Sequence, residues 1–172
     1  MATDTPTTRP GAVEDAPFAP TDVTRAFARF LTHLATFVEA ERDVEVMMTS
    51  DPAFDGSLRR SELALEDTMM LARQSFEAEL TRHADRPLRY TAMLLHRALG
   101  SETRAEFEGL RGLVDSYRPM FRASGSGPIA RRVNVMVDTA LRRLDEVSQL
   151  RMIAEMCDDP HPDDLVADLV HA

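Results

Sequence analysis

The sequence predicts an all-α protein, folded as an antiparallel bundle of four main helices whose third arm is broken near Gly100. Three observations support this fold class. Apolar residues recur at steps of three and four over long stretches, which is the period of an amphipathic helix. No segment alternates apolar and polar residues with a period of two, as a half-buried strand would. Clusters of proline, glycine and aspartate separate the periodic stretches and mark the connections between helices.

The first two helices are predicted on either side of Pro52. Thr21 or Asp22 caps a helix of about 27 residues, which ends before Pro52 because a proline ring disfavours a helical conformation in the preceding residue. Ser57 is the expected cap of the second helix, which covers residues 58–83. The apolar stripe is Val23, Phe27, Phe30, Leu34, Phe37, Val44 and Met48 in the first helix, and Leu58, Leu65, Met69, Ala72, Phe76 and Leu80 in the second.

The third arm is predicted as residues 87–99 followed, after a cap at Gly100 and Ser101, by a helix of about 20 residues. Pro119 is expected to bend or fray the end of that helix. A long helix then begins near Pro128, and its apolar stripe continues to Cys157, so this thiol is expected to be buried and inert. The stripe of the helix after Gly100 is Phe107, Leu110, Val114, Tyr117 and Phe121.

The predicted bundle covers residues 21–157 and has a segment of different composition at each end. Residues 1–20 contain four prolines and little to bury, so they are expected to be a disordered arm. Residues 158–172 form an acidic amphipathic tail, in which five aspartates surround a short apolar segment. A piece this short is not a stable helix alone. The tail therefore either frays, docks on its own bundle, or enters a groove on another protein.

The charges disfavour nucleic acid as a partner. The chain has 20 basic residues, all of them arginine, and 29 acidic residues, for a net charge of -9. No basic face or arm is visible, so nucleic-acid binding is not expected. The absence of lysine is typical of a GC-rich genome, and we expect a bacterial protein. No apolar run is long enough for a membrane helix and the N-terminal residues lack a secretory pattern, so the expected location is cytoplasmic, away from the membrane.

Two glutamates offer a candidate metal site. Glu41 and Glu62 fill the gaps in the apolar stripes of the first two helices, and an antiparallel hairpin brings them to within about one helical turn of the same level. Two inward carboxylates at one level could hold a metal ion. The alternative is that one or both rotate to the edge of the bundle and pair with arginine, which is the usual arrangement of partly buried carboxylates.

A second candidate is His96, in the string HRALGSE of residues 96–102. The string resembles the phosphate-accepting segment of histidine phosphotransfer domains, which are also four-helix bundles. Gly100 and Ser101 match that segment, whereas Leu99 stands where the family has a basic residue. The resemblance implies a signalling role in which His96 carries the phosphoryl group. The residues alone favour a histidine at the boundary of the core.

No catalytic or cofactor-binding set emerges from the sequence. The sequence therefore predicts a non-enzymatic protein–protein interaction module, with an adaptor, regulatory or assembly role and no cofactor. Met93 and Leu94 widen the apolar face of residues 88–99, which predicts a groove for another protein or a homodimer contact. The other candidate surface is the tail, through Leu165, Val166, Leu169 and Val170.

Overall fold

The structure, a computed structural model, describes residues 18–47 and 50–157. All regular structure in these ranges is helical, so the predicted fold class is confirmed. The predicted tail and most of the predicted N-terminal arm lie outside the described residues. The α-helices are α1 Asp22–Val46, α2 Phe54–Glu77, α3 Arg86–Leu99, α4 Arg104–Ser116, α5 Pro128–Val147 and α6 Arg151–Ala154; 3-10 turns at His83–Asp85 and Arg118–Phe121 precede α3 and follow α4.

Consecutive long helices run in opposite directions. The side chains of Thr21 and Asp85 are hydrogen-bonded at 2.6 Å, which places the first residues of α1 and α3 at one end of the bundle. At the other end Arg42, near the end of α1, bonds Glu146 near the end of α5 at 3.3 Å. The break predicted at Gly100 is confirmed, and the chain reverses there: α4 returns along α3, so that Tyr90 and Tyr117 line the same surface groove.

The core is built mainly by the predicted stripe of α1 and by α3 and α5. Phe27, Phe30 and Phe37 are fully buried, and the first two rings meet edge to face with centroids 5.5 Å apart. Thr21 closes the first turn of α1 through a reciprocal capping box with Thr24, as its position in the sequence predicts. Helix α1 packs on α2, α3 and α5, and α3 packs on all four of the other long helices.

The buried face of α2 differs from the predicted stripe. Apart from Leu71, its buried residues are small, whereas Leu58 is exposed and Leu65, Met69 and Phe76 are only half-buried. Short side chains let two helix backbones approach closely, and serine and threonine hydroxyls within the contact can bond the preceding turn. Thr68 and Ser75 do so, donating to the carbonyl oxygens of Ala64 and Leu71. The small buried residues of α2 are Ser57, Ser61, Ala64, Thr68, Ala72 and Ser75.

Three predicted boundaries are wrong. Helix α2 starts at Phe54, so Ser57 lies inside it, and α2 ends at Glu77, well before His83. The cap of α4 is Thr103, whose hydroxyl accepts from the amide of Glu106 at 3.2 Å, and Ser101 is not the cap. The predicted fraying at Pro119 is confirmed, because the chain changes there from α-helix to a 3-10 turn.

The last helix is also shorter than predicted. Helix α5 ends at Val147, and the chain turns before the short helix α6. The turn lets Leu150 and Ile153 enter the core, and the Glu45 carboxylate accepts the backbone N–H of Arg151. The apolar stripe therefore does not continue to Cys157, whose thiol is exposed and not buried as predicted.

Helix α4 is the most peripheral of the long helices. Phe107 is its only buried residue, and the remaining apolar side chains of α4 are half-buried or exposed. Gly109 and Gly112 lie inside the helix, where glycine is less favourable than alanine. Helix α4 is therefore attached to the bundle mainly at one point and has low intrinsic helix propensity.

Replacing Gly109 or Gly112 with alanine is expected to stabilise the protein by about 0.5–1 kcal/mol each. A methyl group at either position would meet no atom within 4 Å, so only the gain in helix propensity remains. Thermal denaturation followed by circular dichroism should show a higher midpoint. Gly100→Ala is the matched control and should give no gain, because its Cβ would lie 3.2 Å from the Met69 methyl group. A lower midpoint for the α4 variants would contradict this packing of α4.

Candidate partner-binding groove

The outward side of α3 carries a ridge of arginine, tyrosine and methionine. Arg86, Tyr90, Met93 and Arg97 are spaced by four, three and four residues, which places them on one line along the helix surface. The opposite side of α3 holds the helix in the core through Leu88, Leu95 and Leu99, as predicted. Arginine, tyrosine and methionine are enriched at protein interfaces.

An apolar groove runs between this ridge and α4. Its volume is about 510 Å³, and its walls come from α3, α4 and the 3-10 turn after α4. The structure exposes nine large apolar side chains in its described ranges, and four of them line this groove: Met93 at 47%, Leu113 at 39%, Tyr117 at 53% and Met120 at 44%. The α3–α4 groove is lined by Tyr90, Met93, Leu94, Arg97, Leu110, Leu113, Tyr117, Met120 and Phe121.

A second depression lies on the other side of the ridge, between α3 and the end of α2. It has a volume of about 440 Å³ and shares Tyr90 and Met93 with the α3–α4 groove. Arg89 is held there by a 2.9 Å hydrogen bond from its Nε to the carbonyl oxygen of Phe76. The α2–α3 cleft is lined by Phe76, Leu80, Arg86, Arg89, Tyr90 and Met93. The two depressions make one continuous surface across the ridge.

The charges on this surface are all positive, although the chain as a whole is acidic. No carboxylate lines the groove or the cleft, whereas arginines line both. Among the described residues, Arg86 and Arg97 form no ion pair. The surface therefore combines exposed apolar side chains with cations whose charge the described protein does not neutralise.

Two carboxylates of α4, Glu108 and Asp115, line a different depression, which they share with Asp145 on α5. Arg111 bonds Glu108 on its own helix and Asp145 on α5, at 3.2 Å in each case. Burial lowers the pKa of Arg111, but the hydrogen bonds to Asp145 and Glu108 outweigh that effect, and its pKa lies above the ordinary arginine value. These ion pairs line a different depression from the groove, whose lining includes Leu113 and Tyr117.

The start of the ridge is fixed by a buried carboxylate. Asp85, immediately before α3, is fully buried and accepts hydrogen bonds from Thr21 and from both Nε and Nη2 of Arg82, at 2.6, 3.0 and 2.8 Å. Arg82 also donates to the carbonyl oxygen of Ala19 at 2.9 Å and lies over the Phe18 ring at 5.2 Å. We call Phe18, Thr21, Arg82 and Asp85 the Asp85 clamp. It joins the chain before α1 to the start of α3.

The predicted pairing of Glu41 with Glu62 is not formed. Glu41 is half-buried and accepts a hydrogen bond from the Ser61 hydroxyl, whereas Glu62 is exposed. The inward position predicted for Glu62 is wrong, because α2 presents its small residues to α1 and Glu62 lies about 100° around the helix from Ser61. Within the described ranges, no three His, Cys, Asp or Glu side chains are close enough to share a metal ion.

His96 lies at the edge of the core, next to α2. Its ring is half-buried and meets Phe76 edge to face, with centroids 5.5 Å apart. The imidazole forms no hydrogen bond or ion pair with another described residue. His96 thus has the position of a histidine at the boundary of the core, which is the alternative that the sequence favours. The residues around it add no support to the resemblance with histidine phosphotransfer domains.

The predicted surface residues have mixed positions. Met93 is exposed and central to the groove, whereas Leu94 is buried and forms its floor. The tail residues Leu165, Val166, Leu169 and Val170 lie outside the described residues. Sequence reasoning missed Leu113, Tyr117 and Met120, and it placed Tyr117 on a core stripe. The available signal was Pro119, which interrupts the helical register on which that stripe depends.

None of the helices that the structure describes is long and apolar enough to cross a membrane. Comparison of the chain with protein-family models, with curated proteins and with solved structures gave no match. What the protein does must therefore be inferred from the groove itself.

Proposed function

We propose that this protein is a non-enzymatic, cytoplasmic bacterial adaptor or regulator that binds an acidic amphipathic helix of another protein in the α3–α4 groove. The observation that carries the proposal is the coincidence of four exposed apolar side chains with a lining free of carboxylates. A helix that lays an apolar face into such a groove is a common mode of peptide recognition. Carboxylates on its flanks would meet Arg86 and Arg97.

The dimensions of the ridge fit a short helix. Arg86 and Arg97 are eleven residues apart on α3, which corresponds to about 17 Å along the axis. A ligand helix of about three turns spans the same length. Its apolar side chains would cover Met93, Leu113 and Tyr117, and each large side chain that becomes fully buried contributes about 1.5–3 kcal/mol. Arg86 and Arg97, near the two ends of the bound helix, would favour a helix with acidic flanks and disfavour a basic one.

Met93→Glu is expected to weaken binding of an acidic amphipathic peptide at least about tenfold, which corresponds to about 1.4 kcal/mol. The change removes a central apolar contact and adds a carboxylate where the peptide carries its own. The probe is a fluorescein-labelled synthetic helix with leucine at steps of three and four and glutamate at the other positions. Fluorescence anisotropy gives its dissociation constant for the full chain.

The control for this experiment is Val135→Glu, which adds the same charge at an exposed valine of α5 outside both depressions. It should leave the dissociation constant unchanged. A second peptide, with lysine in place of glutamate, should bind more weakly than the acidic one. Equal loss of affinity in Met93→Glu and Val135→Glu, or equal binding of the acidic and the basic peptide, would refute the proposed recognition.

A further inference from the structure

We propose that residues 158–172 of the same chain occupy the α3–α4 groove and compete with the external partner. This inference rests on the proposed function, since it assigns a regulator to the same groove. The proposal concerns an intramolecular contact: the occupant is this molecule's own tail and not the tail of a second copy.

The chemistry of the tail matches the chemistry of the groove. In a helical conformation Leu165, Val166, Leu169 and Val170 would share one side, because they combine steps of one, three and four residues. The tail has five aspartates and no arginine, so it carries about half of the net charge of -9 on fewer than a tenth of the residues. The groove offers apolar side chains bordered by Arg97, with Arg86 at the start of the ridge, Arg89 in the α2–α3 cleft, and no carboxylate in either lining.

The length of the chain after Cys157 allows this contact. The bond between Glu45 and the Arg151 amide places α6 near the end of α1, about 35 Å from Asp22. Helix α3 starts at the Asp22 end, and Arg97 lies about 17 Å along it, so α6 and the near end of the groove are about 18 Å apart along the bundle. The eight steps from Cys157 to Leu165 can span about 26 Å.

An intramolecular occupant would lower the apparent affinity for the partner. A short linker holds a tethered ligand at a local concentration of the order of 1 mM. A tail with an intrinsic dissociation constant of about 0.1 mM would then fill the groove in about nine molecules of ten, and the partner would bind about tenfold more weakly. Release of the tail, by a modification or by a stronger partner, would restore full affinity.

Disulfide trapping in the full chain tests the contact directly. In a Cys157→Ser background, which removes the only native thiol, Leu169→Cys is combined with Met93→Cys and the protein is oxidised at low concentration. We expect a cross-linked monomer on a non-reducing gel. The matched control combines Leu169→Cys with Val135→Cys, because Val135 is also exposed and lies seven residues into α5, as Met93 lies seven residues into α3. Equal cross-linking of both pairs would overturn the proposal, and a disulfide-linked dimer would replace it with exchange of tails between copies.

Peptide binding separates failure of this inference from failure of the proposed function. The double variant Leu165→Asp with Leu169→Asp, in the full chain, should bind the acidic amphipathic peptide about tenfold more tightly than the native chain. If the tail variant binds the peptide with the affinity of the native chain, while Met93→Glu still weakens peptide binding, the tail contact is overturned and the groove remains a binding site. No binding to either the native chain or the tail variant would refute the proposed function.

Discussion

Replacing Asp85 with alanine is expected to lower the free energy of unfolding by about 3–5 kcal/mol. The carboxylate is fully buried and accepts three hydrogen bonds, two of them from the guanidinium of Arg82. Its removal leaves that guanidinium, only 19% exposed, without its counter-charge. Urea denaturation followed by circular dichroism measures the change.

Two further variants separate the charge from the hydrogen bonds in the Asp85 clamp. Asp85→Asn keeps the size and one acceptor oxygen, so it should cost less than the alanine variant. Thr21→Ala removes one donor to Asp85 and the capping box of α1, which is worth about 1 kcal/mol. The effects of Thr21→Ala and Asp85→Ala should not add, because the two residues share one network. An alanine variant at Asp85 that loses less than about 1 kcal/mol would contradict this account.

The Asp85 clamp also shows which features the sequence could not supply. The start of α1 is predictable because its capping box and stripe involve residues three and four apart. The end of α2 is not, because the carbonyl oxygen of Phe76 in its last turn is bonded by Arg89, a residue 13 positions later in the chain. Local periodicity carries no information about that contact, and the predicted helix therefore continues to His83.

One wall of the α3–α4 groove could be predicted from local spacing, whereas the other depends on a contact between distant residues. The apolar surplus at Met93 is visible in the sequence, because it lies beside a complete core stripe on α3. The second wall is not visible, because it forms only when α4 folds back along α3, which brings Tyr90 and Tyr117, 27 positions apart, to one groove. In α2 the predicted stripe follows the largest apolar side chains, but the buried residues, apart from Leu71, are small ones that pack between the helices. The buried face of α2 is thus a property of the pair of helices.

Replacing Phe107 with alanine is expected to cost about 3–5 kcal/mol locally and to release α4 from the bundle. Phe107 is fully buried and is the only buried side chain of α4, so its contacts hold most of the helix against the core. Since α4 also contains two glycines, the released segment gains little from remaining helical. Hydrogen exchange should show loss of protection in residues 104–121, with α1 and α5 protected as before.

Phe30→Ala is the matched control, because it makes the same truncation at an equally buried position in α1. That variant should weaken protection throughout the bundle, since α1 contacts α2, α3 and α5. Phe107→Ala should also abolish binding of the acidic amphipathic peptide, because Leu113 and Tyr117 leave the groove together with α4. Loss of protection in α1 equal to that in α4 would show that α4 does not open separately. In that case, opening of α4 could not contribute to exchange between the tail and a partner, and the groove would act as a rigid surface.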